Sequence, residues 1–203
     1  MPIASHSVIA TQATLSDPGA YEHVLVVMSI VIGLAVTQLL KGVAQLYRTR
    51  AKVRTYWLHW AWTILLVVFS LVVWWTYWSY RSITDWTFLR FLPYLSPAVA
   101  FYLLTAIAFP APDEGVVDLK AYYFANRGGF FGAFALYAVL AGITAMFVRG
   151  MPVTDLSNLF RLGMVALTLV AMRSSNARVH AVIFSMAAIL LLGFVAFFQF
   201  RLA

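Results

Sequence analysis

The chain contains no cysteine in its 203 residues. Disulfides, thiolate nucleophiles, CxxC redox chemistry and cysteine-ligated metals are thereby excluded. Charge is scarce too. Asp, Glu, Lys and Arg make up 10% of the residues, against about a quarter in a soluble domain. No HExxH, phosphate-binding glycine loop, GxSxG or paired catalytic carboxylate occurs, so the sequence points away from an enzyme. The N-terminus, MPIASHSVIATQATLSDPGA, has neither a basic n-region nor an apolar h-region, and reads as a short polar tail rather than a signal peptide. N-myristoylation and prenylation patterns are also missing.

What the chain has is apolar surface. Hydrophobic residues account for 63% of it and the mean hydropathy is +0.87, so the expected solvent and first partner is the lipid bilayer. Net charge is +7, with five of the 14 Lys and Arg gathered between Lys41 and Arg54. That concentration reads as an orientation signal. A nucleic-acid partner is not expected, because no soluble basic face is available to meet one.

Apolar runs predict an all-α integral membrane protein. The expected fold is a single membrane domain, a compact bundle of six transmembrane helices spanning 22–46, 56–80, 87–109, 128–148, 156–172 and 179–200. The second span is bounded by Trp57, Trp60 and Trp62 at one end and Trp74, Trp75 and Trp78 at the other. Trp57 and Trp78 stand about 31 Å apart along a helix, the thickness of a hydrocarbon core between two aromatic belts. Thr84 or Asp85 is placed to cap the third span, where Pro93 and Pro97 predict a kink and free the carbonyls of Leu89 and Pro93. DLKAYYFANR reads as a short cytoplasmic interfacial helix before the fourth span. Ala135, Ala138, Gly142 and Ala145 on the fourth span, and Ala181, Ser185 and Ala188 on the sixth, read as close-packing faces. The fifth span is the shortest and contains Asn158 and Arg161. The alternative is five spans plus a re-entrant segment there.

In the six-span arrangement, one set of loops holds nine Lys and Arg, the other five. The richer set belongs in the cytoplasm, which places both termini on the non-cytoplasmic side of a bacterial-type inner membrane.

The first span is the most polar. Glu22, Ser29, Gly33 and Thr37 share one helical stripe, and Gln38, Lys41 and Gln45 a neighbouring one. Polar groups in hydrocarbon need partners, so this helix is expected to be buried among the others. The functional expectation is a channel or transporter for ions or small solutes, with a polar path along Glu22, Ser29, Gln38 and Lys41. A homo-oligomer is expected. The rival reading is a non-catalytic accessory subunit packed against a larger membrane complex. The orientation also brings Glu22, Arg90 and Arg161 to one membrane face, where Glu22 is expected to pair with one of the arginines. A third reading is a haem-binding electron carrier. His59 and His180 both enter spans from the same side and are candidate axial ligands. No metal site is expected.

Overall fold

The computed structural model of the chain describes residues 19–111 and 116–199. The N-terminal tail with His6, the centre of the loop after the third span, and the last four residues lie outside the described residues. Six helices are long and apolar enough to cross a membrane. They are α1 (Ala20–Arg48), α2 (Trp57–Tyr77), α3 (Phe88–Ile107), α4 (Leu119–Arg149), α5 (Leu156–Arg173) and α6 (Ala177–Phe194, ending in the π-helical turn Val195–Gln199).

The connections α1–α2, α3–α4 and α5–α6 lie at one end, termed here the basic end because Arg48, Arg50, Lys52, Arg54, Lys120, Arg127, Arg173 and Arg178 gather there. Two of these connections are tied together. The two-residue strand β1 (Val53–Arg54) pairs in parallel with β2 (Val117–Asp118), and Asp118 then caps α4 by accepting the backbone N–H groups of Lys120 and Ala121 at 2.9 Å. This cap explains a difference from the sequence reading. The segment read as a separate interfacial helix is the first part of α4, which runs unbroken for 31 residues through Gly128 and Gly129. Each glycine costs about 1 kcal/mol relative to alanine. With no proline present and Tyr123 buried against neighbouring rings, that cost does not break the helix.

The fifth segment is a continuous helix, not a re-entrant turn. Asp155 starts it, accepting the Ser157 backbone N–H at 2.9 Å. Its 18 residues reach about 27 Å. In α3 the N-cap is Thr87, whose side chain accepts from the Arg90 backbone N–H at 3.3 Å, rather than Thr84 or Asp85. Pro93 and Pro97 both lie inside this helix. The Pro93 carbonyl that Pro97 leaves without its helical donor accepts the Thr144 hydroxyl from α4 and the Ser96 hydroxyl at 3.0 Å. That carbonyl is a clasp between helices, not an open coordination site.

Two aromatic clusters hold the ends. At the basic end, Trp62 meets Phe131, Phe184, Phe130 and Phe134 with ring centroids 5.4–6.2 Å apart. Trp62 is thus core, while Trp57, Trp74 and Trp78 stay exposed as belt residues. At the opposite end, Tyr94 is buried under Tyr77, Tyr80 and Trp86, with centroids 4.9–5.0 Å away.

Helix α1 is peripheral. It buries one apolar stripe (Met28, Ile32, Ala35, Leu39 and Leu46) and leaves Glu22, Gly33, Thr37 and Lys41 exposed. The expectation of a helix surrounded by its neighbours is corrected on this point. Burial followed the apolar stripe, because apolar area drives packing more strongly than polar groups that reach the helix ends. On α6 the buried face is His180, Ile183, Ala187 and Leu191, not the small-residue face, and Ser185 is exposed.

Candidate functional site

A crevice opens between α2, α3, α4, α5 and α6 towards the end opposite the basic loops. On α2 its wall follows one helical face, through Leu66, Phe69, Val73, Tyr77 and Tyr80. The facing helices mix small residues (Ala138 and Ala141 on α4, Ala187 on α6, Pro97 on α3) with large ones such as Tyr137, Phe160 and Leu191. The small positions leave room between the helices here, whereas Trp62 and its phenylalanines fill the space at the basic end. The cavity volume is about 90 Å³, several times the ~10–15 Å³ that one water needs.

Its walls are apolar and aromatic, with one cation among them, Arg161. One nitrogen of the guanidinium, Nη1, donates to Ser157 Oγ at 3.0 Å and Asn158 Oδ1 at 2.7 Å. Ser157 Oγ in turn donates to Asp155 Oδ1 at 2.6 Å. That hydroxyl and the Ser157 backbone N–H hold the Asp155 carboxyl below its ordinary pKa, with Arg161 and Arg149 adding to the effect. Among the described residues, the chain Asp155–Ser157–Arg161 fixes the arginine through Nη1 alone. A guanidinium carries five N–H donors in a planar fork, so the Nε and Nη2 side can take a carboxylate or phosphate. Tyr80 lies beside this mouth, with the Arg149 guanidinium 5.5 Å over its ring.

The other candidate residues fall in different places. Arg90 pairs with Asp85 and also donates to the Asp85 carbonyl at 3.1 Å. Arg161 is occupied as described, and Glu22 is exposed. The expected pairing of Glu22 with either arginine does not form, because each arginine has partners a few residues away on its own segment. Ser29 is half-buried and accepts the Trp74 indole N–H at 3.1 Å. Gln38 donates to the Tyr102 hydroxyl at 3.2 Å. Both are used as bridges from α1 to α2 and α3. Lys41 points away from the bundle.

His59 and His180 do reach similar depth, at the basic end, and both are buried. The surroundings of His180 do not suit an axial ligand. His180 Nδ1 lies 2.9 Å from the Tyr123 hydroxyl and Nε2 lies 3.0 Å from the Ser174 carbonyl, so neither nitrogen is open to iron. Tyr123, Phe124 and Phe131 pack on the His180 ring at centroid distances of 5.2–5.5 Å, which leaves no slot for a porphyrin. Sequence reasoning missed the crevice because its walls come from five helices. The only signal was Arg161, an arginine one turn inside an apolar span. No protein-family model, curated protein or solved structure matches the chain.

Proposed function

We propose that the chain is a small multi-pass membrane protein that binds an amphiphilic anion, and that it acts as a transporter for such a molecule. The apolar part of the ligand would occupy the crevice and its carboxylate or phosphate would meet Arg161. The observation that carries this reading is the half-buried guanidinium lining an apolar crevice, held by Ser157 and Asn158 with Asp155 behind them, and keeping its Nε and Nη2 donors without a partner among the described residues. A charged group in such a position is costly without a partner. A single-chain polar path along α1 has less support, since Ser29 and Gln38 are spent on bridges and Lys41 faces outward.

The test compares laurate with dodecanol, using native mass spectrometry of the protein in a non-ionic detergent. Laurate is expected to bind, and Arg161→Gln to weaken it at least about tenfold, ~1.4 kcal/mol, with dodecanol unaffected. Equal weakening of both ligands, or none, removes the anion-binding reading. Laurate movement across protein-containing liposomes then separates a transporter from a receptor.

One observation favours the accessory or oligomeric reading alongside. A side chain added at Gly33 would meet nothing within 4 Å, and Thr37 and Lys41 flank it on the outer face of α1. Polar and small groups on a lipid-facing surface suit a protein neighbour. The mass of the complex in mild detergent tests this: a monomer would leave that face to lipid.

A further inference from the structure

At the basic end a second, smaller cavity lies between α2, the end of α3 and the start of α4. His59, Trp62, Thr63, Tyr122, Tyr123 and Asn126 are among its lining residues. Its volume is about 20 Å³, and a cavity needs at least ~10–15 Å³ on this measure to hold one water. Two of the lining side chains are almost wholly buried, His59 at 4% exposure and Trp62 at 3%. Each buries a ring nitrogen, His59 Nε2 and Trp62 Nε1, that has no hydrogen-bond partner among the described residues. Orphaned buried polar atoms are rare, because each costs ~1–3 kcal/mol. Two of them on one water-sized hole, otherwise lined largely by apolar groups, call for a shared partner.

The neighbouring hydrogen bonds fix what that partner must do. A carbonyl only accepts, so His180 Nε2 carries the proton that bonds to Ser174, and its Nδ1 is the acceptor. The Tyr123 hydroxyl therefore donates to Nδ1, leaving its oxygen lone pairs available. The Trp62 indole lies beside this hydroxyl, yet its N–H makes no hydrogen bond of acceptable geometry to any described residue. Tyr122 spends its proton on the carbonyls of Ile107 and Phe109, both at 2.8 Å. Trp62 thus needs an acceptor, and Tyr123 has room for a donor.

We propose that this cavity is a binding site for a single water molecule. The water accepts from Trp62 Nε1–H, donates to the Tyr123 hydroxyl oxygen, and hydrogen-bonds His59 Nε2. It completes an unbroken chain from His59 on α2 through Tyr123 on α4 and His180 on α6 to the Ser174 carbonyl in the α5–α6 connection. Leu66 lines both this cavity and the Arg161 crevice, but none of the three side chains that bond the water lines the crevice.

The experiment uses the full chain, labelled with ¹⁵N-tryptophan, in lipid nanodiscs. The Trp62 indole signal is assigned by its loss in Trp62→Phe. Cross-relaxation between this indole proton and the water resonance is then measured. A cross-peak with the sign of a long-lived bound water is expected; its absence in the folded protein overturns the proposal. Ala108 also lines the cavity, and Ala108→Val is expected to displace the water and abolish the peak. Exchange of the Tyr123 hydroxyl proton could imitate a bound water, so Tyr123→Phe is measured too. Retention of the peak in that variant supports a water held by His59 and Trp62. Its loss there, with the indole signal otherwise in place, means Trp62 bonds the hydroxyl directly and overturns the proposal.

Discussion

Thr144 shows how one hydroxyl can decide whether a proline is tolerated inside an apolar helix. Its single hydroxyl proton is shared between the Pro93 carbonyl across the α3–α4 interface and the Leu140 carbonyl one turn back, at 2.9 Å. Thr144 is buried and Pro93 half-buried. Thr144→Val keeps the shape and removes the donor, and is expected to cost about 1–3 kcal/mol, read as a lower melting temperature in detergent. An unchanged melting point would mean that Ser96 satisfies the carbonyl alone. Charges behave differently at this scale. With Glu22 exposed and Arg90 held by Asp85, Glu22→Gln is expected to change stability by only ~0–1 kcal/mol, with no coupling to Arg90 in a double-mutant cycle. The sequence did place these charges near one end of the bundle. Which pairs form was not legible in it from span positions alone. Asp85 lies five residues before Arg90 in the same connection, and so short a loop costs little entropy to close, whereas Glu22 must be brought from another helix. Asp85 followed by Arg90 was the available signal.

Helices α1 and α4 mark what patterning does and does not specify about an element. Six apolar runs separated by polar or proline-containing breaks were readable directly, and all six are helices of spanning length. Which face of each helix turns inward was less so. On α1 the polar stripe and the apolar stripe both have helical period, and the apolar one is buried. On α6, where small and large residues alternate around an apolar surface, periodicity alone could not choose between the His180–Ile183–Ala187 face and the Ala181–Ser185–Ala188 face. The run of α4 through Gly128 and Gly129 was hidden because the β1–β2 pairing that anchors its start joins residues from distant connections. Two glycines on α1 give a direct test of facing. A methyl group added at Gly42 would fall on the Phe109 ring, whereas one at Gly33 would meet nothing. Gly42→Ala is therefore expected to destabilise by ~1–3 kcal/mol through overpacking. Gly33→Ala should leave stability unchanged or raise it by up to ~1 kcal/mol through helix propensity. Similar losses at both sites would place Gly33 in a contact outside the single chain, which is the outcome an α1-mediated oligomer requires.

At the scale of the whole molecule the two ends of the bundle are built differently. The basic end is closed by Trp62 and its ring partners and by the loop pairing. The opposite end keeps its helices apart around the crevice, with an arginine at the mouth. An apolar void is ordinarily a cost, on the order of 24 cal/mol for each Å³ left empty in a well-packed core. A chain under selection for stability alone would be expected to fill it, since larger residues at Ala138 or Ala141 are a single substitution away. The proposed ligand site would require this space, and the trade can be measured. Ala141 lines the crevice on α4 and is only half-buried, so Ala141→Phe can place its ring in the void without displacing a tightly packed neighbour. Filling a cavity in this way commonly adds ~0.5–2 kcal/mol. The expected outcome is a melting temperature in detergent at or above that of the parent, together with loss of laurate binding in the same preparation. A packing defect without function would give the stability gain while leaving the measured binding of laurate and dodecanol alike. A loss of stability would show instead that the crevice walls are already in contact with something the substitution displaces. In that case, thermal shift with added laurate distinguishes the occupant: stabilisation of the parent but not of Ala141→Phe identifies the amphiphile as what the crevice holds.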